Sequence, residues 1–254
     1  MTLDHTLERT VTIRARRATV FRFFTDPSLF AQWWGEGSLI EGRPGGVVTI
    51  RYPNGVAAAG QVVEIVPDER VVFTYGYDAA DKGLPPGASR VTVTLEETRD
   101  GTRLTLRHDL PSAAMRDAHV PGWRYQLALF ANAAARVEHA DAATTVDRYL
   151  ALWSEPDERL RRQTLDAIAT PDMTFGDAFA CTDGREDLAA HIGATQQHMP
   201  GLRLQRQGDV RQCQGVLLAD WAAIGPDGAV AGRGTNVFLL APDGRLSRAT
   251  GFWG

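Results

Sequence analysis

An acid placed among apolar neighbours is the feature of this sequence that points most directly to chemistry. Met173, Phe175 and Asp177 alternate along a short predicted strand, so the Asp177 carboxyl shares the side that its neighbours mark as apolar. Desolvation on such a wall makes a carboxylate a stronger proton acceptor, which suits the removal of a proton beside a carbonyl. The plainer alternative is that Asp177 caps the turn before the following helix or pairs with Arg185. Asp220 shares parity with Leu218 and Ala222, which predicts that it faces the same interior while Trp221 faces away. In the first half, Val71, Phe73, Tyr75 and Tyr77 share one strand face and Leu104, Leu106 and His108 share another, so His108 is predicted to point inward. With Trp33, Trp34 and Trp123 these side chains could line a cavity; the bland reading is a core histidine and space-filling indoles.

The elements that must position these residues fall into two groups. Leu7–Ala15 reads as a half-buried strand, 18–24 and the segment from Pro27 to Gly35 as short helices, and five runs between Gly46 and Leu110 as strands separated by turn signals. Trp123, Leu127, Phe130, Ala134 and Val137 then lay one apolar stripe along a helix predicted to start after Pro121-Gly122. Residues 138–143 hold no large apolar side chain, and Thr144 to Asp147 has the T-x-x-D form that starts a new helix. A second helix to Ala169 is expected to turn Leu160, Leu165 and Ile168 inward, and a third carries Leu188, Ile192, Thr195 and Met199. Four strand candidates close the chain: 202–210, 216–224, 230–240 and 246–253. The order predicts an α+β protein of two domains, 1–140 and 141–254.

Composition narrows the function classes. The 44% hydrophobic and 23% charged content is ordinary for a globular chain, which excludes a disordered or fibrous protein. A net charge of -4, with basic residues scattered singly, argues against nucleic-acid binding. No run of eighteen apolar residues occurs, so no membrane association and a cytoplasmic location are expected. Cys181 and Cys213 belong to no C-x-x-C pair and are expected as half-buried thiols, and His191 and His198 stand too far apart to share a metal. Neither a metal nor a cofactor is expected.

Longer motifs carry two resemblances. T-V-F-R-F-F-T-D-P-S-L-F-A-Q-W-W-G, G-Q-V-V-E-I-V-P-D-E-R-V-V-F-T-Y, G-T-R-L-T-L-R-H-D-L and G-W-R-Y-Q-L, within 8–137, resemble the landmarks of the START-like helix-grip (SRPBCC) family, in its branch similar to the activator of the heat-shock chaperone ATPase. That likeness implies a curved antiparallel sheet around a long C-terminal helix and a cavity for apolar ligands. R-Y-L-A-L-W, D-M-T-F-G-D, D-G-R-E-D-L-A-A-H-I, W-A-A-I-G-P-D-G, G-T-N-V-F and G-R-L-S-R-A-T-G-F, within 144–253, resemble the α+β cone of the SnoaL-like and nuclear-transport-factor-2-like superfamily, which includes ketosteroid isomerase.

The second resemblance assigns roles. Tyr149 falls where those isomerases keep an oxyanion-donating phenol, Asp177 where they keep the base, and Asn236 where they keep a second acid. An amide donates more weakly to an oxyanion than a neutral carboxylic acid, and the proline that follows the base is Ala178 here, so steroid isomerisation itself is not implied. The expected ligand-lining set of the second half is Phe175, Asp220 and Phe238. The reading is a binder of a small apolar, carbonyl-containing or polyketide-like molecule, with isomerase or cyclase chemistry in the second domain. The alternative is a non-catalytic ligand carrier or adaptor whose cone domain forms a homodimer through its sheet.

Overall fold

Alternation turns into strands and 3.6-residue periodicity into helices along the whole chain, which the computed structural model describes over residues 2–254. The first group of elements is β1 (His5–Ile13), α1 (Arg17–Arg22), α2 (Pro27–Trp34), β2 (Leu39–Ile40), β3 (Val47–Arg51), β4 (Ala57–Val66), β5 (Arg70–Tyr75), β6 (Ser89–Thr98), β7 (Gly101–Leu110) and α3 (Ala113–Glu138). The second is α4 (Ala142–Leu152), α5 (Glu158–Ile168), β8 (Ala169–Gly176), β9 (Cys181–Asp183), α6 (Arg185–His198), β10 (Arg203–Cys213), β11 (Val216–Ile224), β12 (Val230–Leu240) and β13 (Leu246–Trp253). They form two units, Met1–Val137 and Glu138–Gly254.

In the first unit a seven-stranded antiparallel sheet runs in the order β1-β7-β6-β5-β4-β3-β2. Its inner face and α3 share one core, in which Val71, Phe73, Leu104 and Leu106 meet Trp123, Leu127 and Phe130. Helix α2 begins where Pro27 pre-sets the first turn and the Asp26 carboxylate accepts from the Ser28 amide at 2.9 Å. Its C-terminal Trp33 and Trp34 are buried.

Two helix starts differ from expectation. Helix α3 begins at Ala113, well before Pro121-Gly122, because the Ser112 hydroxyl accepts from the Met115 amide and its carbonyl from Arg116. Its first turns carry no continuous apolar stripe, and Pro121 lies inside the helix, so periodicity alone places the start too late. Helix α4 begins at Ala142, ahead of the T-x-x-D signal, with Asp141 as its cap residue.

In the second unit three helices precede most of a six-stranded sheet of order β10-β11-β12-β13-β8-β9, antiparallel except between β13 and β8. Tyr149, Leu165, Ile168, Met173, Leu188, Ile192, Trp221 and Phe238 belong to its core. The Asp157 carboxylate caps α5 through the amides of Arg159 and Leu160. Leu160, expected inward, is exposed, since the capped start of α5 turns it to solvent; Met199 lies past the end of α6 and is exposed as well. Cys181 and Cys213 are free and exposed, not half-buried.

The first sheet makes one testable demand on its sequence. A Cβ at Gly60 would lie 1.7 Å from the Thr74 carbonyl oxygen, so no side chain fits without separating β4 from β5. Gly60→Ala is expected to destabilise the first unit by about 3 kcal/mol in urea unfolding.

Candidate functional site

The second unit encloses a small cavity between one face of its sheet and the end of α6. Phe175 from β8, Trp221 from β11, Asn236 from β12 and Trp253 from β13 form its sheet wall. Trp153 closes it from the end of α4, and Thr195, Gln196, Met199, Leu202 and Leu204 cover it from α6 and the segment leading into β10. Its free volume is about 40 Å³, room for roughly one to three waters.

Asp177 and Asn236 are the polar groups brought together there. Asp177 follows β8 and is half-buried. Its Oδ1 accepts from the amides of Phe179 and Ala180, both at 2.8 Å, and its Oδ2 accepts from Trp253 Nε1 at 3.2 Å. The turn amides and the indole fix the carboxylate with Oδ2 on the cavity side. Arg185 pairs with Asp166 instead, at 3.0 Å. Asn236 is buried, and its Oδ1 accepts from Trp221 Nε1 at 2.9 Å. An indole can only donate, so this bond sets the amide orientation and leaves Nδ2 as the donor available to a ligand.

Gly251 explains why the two approach each other. It pairs with Asn236 across β12 and β13. A Cβ there would lie 3.2 Å from Asn236 Oδ1 and 3.3 Å from Asp177 Cβ, so both side chains pack closely over the glycine and an added methyl would push them aside by a few tenths of an ångström. Neither Gly251 nor the three indoles was singled out by sequence reasoning. A glycine inside a strand was the available signal for the first.

Three expected members are placed elsewhere. Asp220 faces away from the cavity, bonded to Thr235 Oγ1 at 2.5 Å and Arg211 at 3.3 Å, because the buried face of β11 is that of Leu217, Ala219, Trp221 and Ala223. Parity was misread because Leu218 and Ala222 give the outer face an apolar look as well. Phe238 is fully buried behind the cavity, 5.0 Å from the Tyr149 ring. Tyr149 is also fully buried and does not line the cavity; Trp153, with ring centroids 6.4 Å away, does. Burial pushes the Tyr149 phenol up from its ordinary pKa, the nearby Trp153 indole offsets this in part and the Asp177 charge adds to it, so the group stays protonated. By strict geometry neither the Tyr149 hydroxyl nor Trp153 Nε1 has a hydrogen-bond partner, so their mutual approach is a weak contact.

In the first unit the predicted lining is packed core. Trp33 and Trp34 stack at 4.4 Å, Trp33 meets Phe130 at 4.9 Å, and Trp34 meets Trp123 at 5.6 Å. Phe73 and Tyr75 are buried in the same cluster. His108 does point inward, into a closed hydrogen-bond chain: Trp123 Nε1 donates to His108 Nδ1 at 2.9 Å, His108 Nε2 to Ser89 Oγ at 2.8 Å, and Ser89 Oγ to the Tyr75 carbonyl at 2.7 Å. The donor-only indole requires the tautomer with its proton on Nε2. A second proton would face the Trp123 N–H.

This chain predicts a pH dependence. Burial, with a smaller contribution from neighbouring His119, lowers the His108 pKa from 6.5 to about 3. The unfolded chain therefore takes up a proton below pH 6.5 that the folded chain refuses, and stability falls as pH drops toward 3. Between pH 7.5 and 5 the loss from this group is about 2 kcal/mol. His108→Gln is expected to lower stability at pH 7.5 yet to flatten the slope by about that amount, read from urea midpoints at the two pH values.

Among the described residues no helix is long and apolar enough to cross a membrane, and no group of three or more His, Cys, Asp or Glu side chains is placed to hold a metal. No curated protein matches the chain. Among solved structures, a SnoaL-like family protein from Agrobacterium tumefaciens str. C58 is 29% identical, with 46% of this chain and 98% of that one covered and a TM-score of 0.43. A protein from Chromobacterium violaceum is 29% identical over 50% of this chain and 94% of its own, with a TM-score of 0.42. The Aha1 dimer of Colwellia psychrerythraea is 17% identical over 48% and 90%, with a TM-score of 0.41. Residues 14–135, and so nearly all of the first unit, match the family described as Activator of Hsp90 ATPase homolog 1-like protein.

Proposed function

We propose that the second unit binds a small carbonyl compound and moves a proton on it, with Asp177 as the base and Asn236 as the donor to the carbonyl oxygen. The observation that supports this reading is the convergence of a carboxylate and an amide beside Gly251, in a cavity whose remaining wall is largely apolar, with Trp153, Phe175, Trp221 and Trp253 around the pair and Thr195 and Gln196 on the α6 side. Asp177 Oδ2 would take the proton from the carbon next to the carbonyl. Asn236 Nδ2 would hold the developing enolate oxygen, and the same carboxylic acid would return the proton two carbons further along a conjugated system. Tyr149 acts from behind Trp153 as packing and does not touch the ligand.

Cavity size restricts the substrate class. With about 40 Å³ free, the closed cavity holds water only, so a single ring enters when Met199 and Leu202 move outward and a fused polycycle needs a larger displacement still. A β,γ-unsaturated cyclohexenone, a single ring that requires the least outward movement, is the probe, and its conversion to the conjugated isomer is read by ultraviolet absorbance. Wild-type protein is expected to accelerate it, and Asp177→Asn to lower the rate roughly 100-fold or more while ligand still quenches the lining indoles. Equal rates for wild type and Asp177→Asn would refute the base assignment. A second reading, binding without turnover, draws on the two turn amides that occupy Asp177 Oδ1 and on the absence of Tyr149 from the cavity wall. Saturable quenching without isomerisation by wild type would select it.

A further inference from the structure

A second concavity, in the first unit, has no part in that chemistry. It opens between the end of β3 and its following turn, the segment after β5, and the first turns of α3. Tyr52, Tyr77, Lys82, Met115 and His119 line it, with Asn54 at the rim, around a free volume of about 360 Å³. That volume lies in the range of small-molecule sites, roughly 300–1,000 Å³, whereas the second unit's cavity falls below it. It lies beside the space between sheet and helix, which aromatic rings fill and against which Tyr52, Tyr77 and Met115 pack.

Three features define what would fit. The first is a set of flat faces. Tyr52 and Tyr77 rings are 6.5 Å apart and inclined by 36°, and Tyr77 and His119 rings are 5.8 Å apart and inclined by 30°. Such plates receive a planar ring.

The second is the state of the polar atoms. His119 Nδ1 donates to the Met115 carbonyl at 2.7 Å, so Nε2 is an acceptor and the Tyr77 hydroxyl donates to it at 3.2 Å. The Tyr52 and Tyr75 hydroxyls share one bond at 2.7 Å. Two hydroxyl protons serve one bond there. When buried Tyr75 donates, the Tyr52 proton is left to point at a ligand acceptor.

The third is charge. Burial holds His119 toward its neutral form, which leaves Lys82 as the one ionised side chain of the lining. Lys82 makes no ion pair among the described residues, and it is the single lysine of the sequence. Asp78 and Asp81 flank it in the chain but are exposed and outside the lining. The start of α3, a helix of 26 residues, adds a weak positive potential at Met115. An organic cation attracted to the tyrosine faces would be repelled by the Lys82 ammonium. A single ammonium without a guanidinium fork suits one carboxylate better than a phosphate.

We propose that this concavity binds a small aromatic monocarboxylate, with its ring laid against the faces of Tyr52, Tyr77 and His119 and its carboxylate on Lys82 and the Tyr52 hydroxyl. The lone lysine makes the test direct. Reductive methylation with ¹³C-formaldehyde keeps the charge and places one side-chain probe, at Lys82, in the full chain. Titration with 2-naphthoate is expected to shift that dimethylamine signal saturably, and the uncharged 2-naphthamide to bind at least tenfold more weakly. By saturation-transfer NMR on unlabelled protein, Lys82→Met is expected to lose the tenfold preference for the acid, and Lys82→Arg to keep most of it. A non-saturating shift, equal binding of acid and amide, or an unchanged preference in Lys82→Met would each overturn the proposal.

Discussion

The hydrogen bond from the Trp221 indole to Asn236 Oδ1, 2.9 Å long and buried, sets the chemistry of the second unit. An amide side chain can present either end to a cavity, and which end it presents decides whether the site donates or accepts. Because an indole nitrogen only donates, the Asn236 oxygen is committed and its nitrogen is not. Opposite it, Trp253 performs the matching service for Asp177, donating to Oδ2 at 3.2 Å. Two indoles thereby orient one donor and one acceptor toward the same small space, and Gly251 keeps that space free of a Cβ.

The first unit solves its buried-polar problem in a related way and to a different end. There an indole donates to His108, and the chain closes on Ser89 and a backbone carbonyl, leaving nothing for a ligand. The difference between a core histidine and a site amide is the count of unspent donors. His108 has none in its neutral state, while Asn236 retains one. Among the packed rings the Trp33 and Trp34 indole nitrogens remain without partners, and Tyr52 and Lys82 carry polar groups on the open concavity beside them.

The fold was largely legible because its strands and helices carry clean periods. The last three strands, 216–224, 230–240 and 246–253, coincide with the runs read from alternation, bounded by Pro-Asp-Gly turns. The start of α3 was not legible, since Ser112 supplies it through a cap while the following residues lack an apolar stripe. The site was legible only in part. Asp177 stood out as an acid among apolar neighbours, and Asn236 through the resemblance of its motif. Trp221 and Asp220 were exchanged because both faces of β11 carry apolar residues, so parity had no unique solution there. Tyr149 was placed by motif at a position whose hydroxyl the structure screens behind Trp153, a matter of one indole's packing that spacing does not encode.

The central claim is that Asn236 offers its amide protons, and Asp177 the remaining lone pair of Oδ2, to a carbonyl ligand in this cavity. The side-chain NH₂ resonances of Asn236, assigned by their loss in Asn236→Asp, report on this directly in ¹⁵N-labelled full-length protein titrated with 2-cyclohexenone. Saturable downfield movement of one of these protons, with the Trp253 indole proton responding at the same ligand concentration, is the predicted result. Asn236 signals that stay fixed while other residues respond would contradict it.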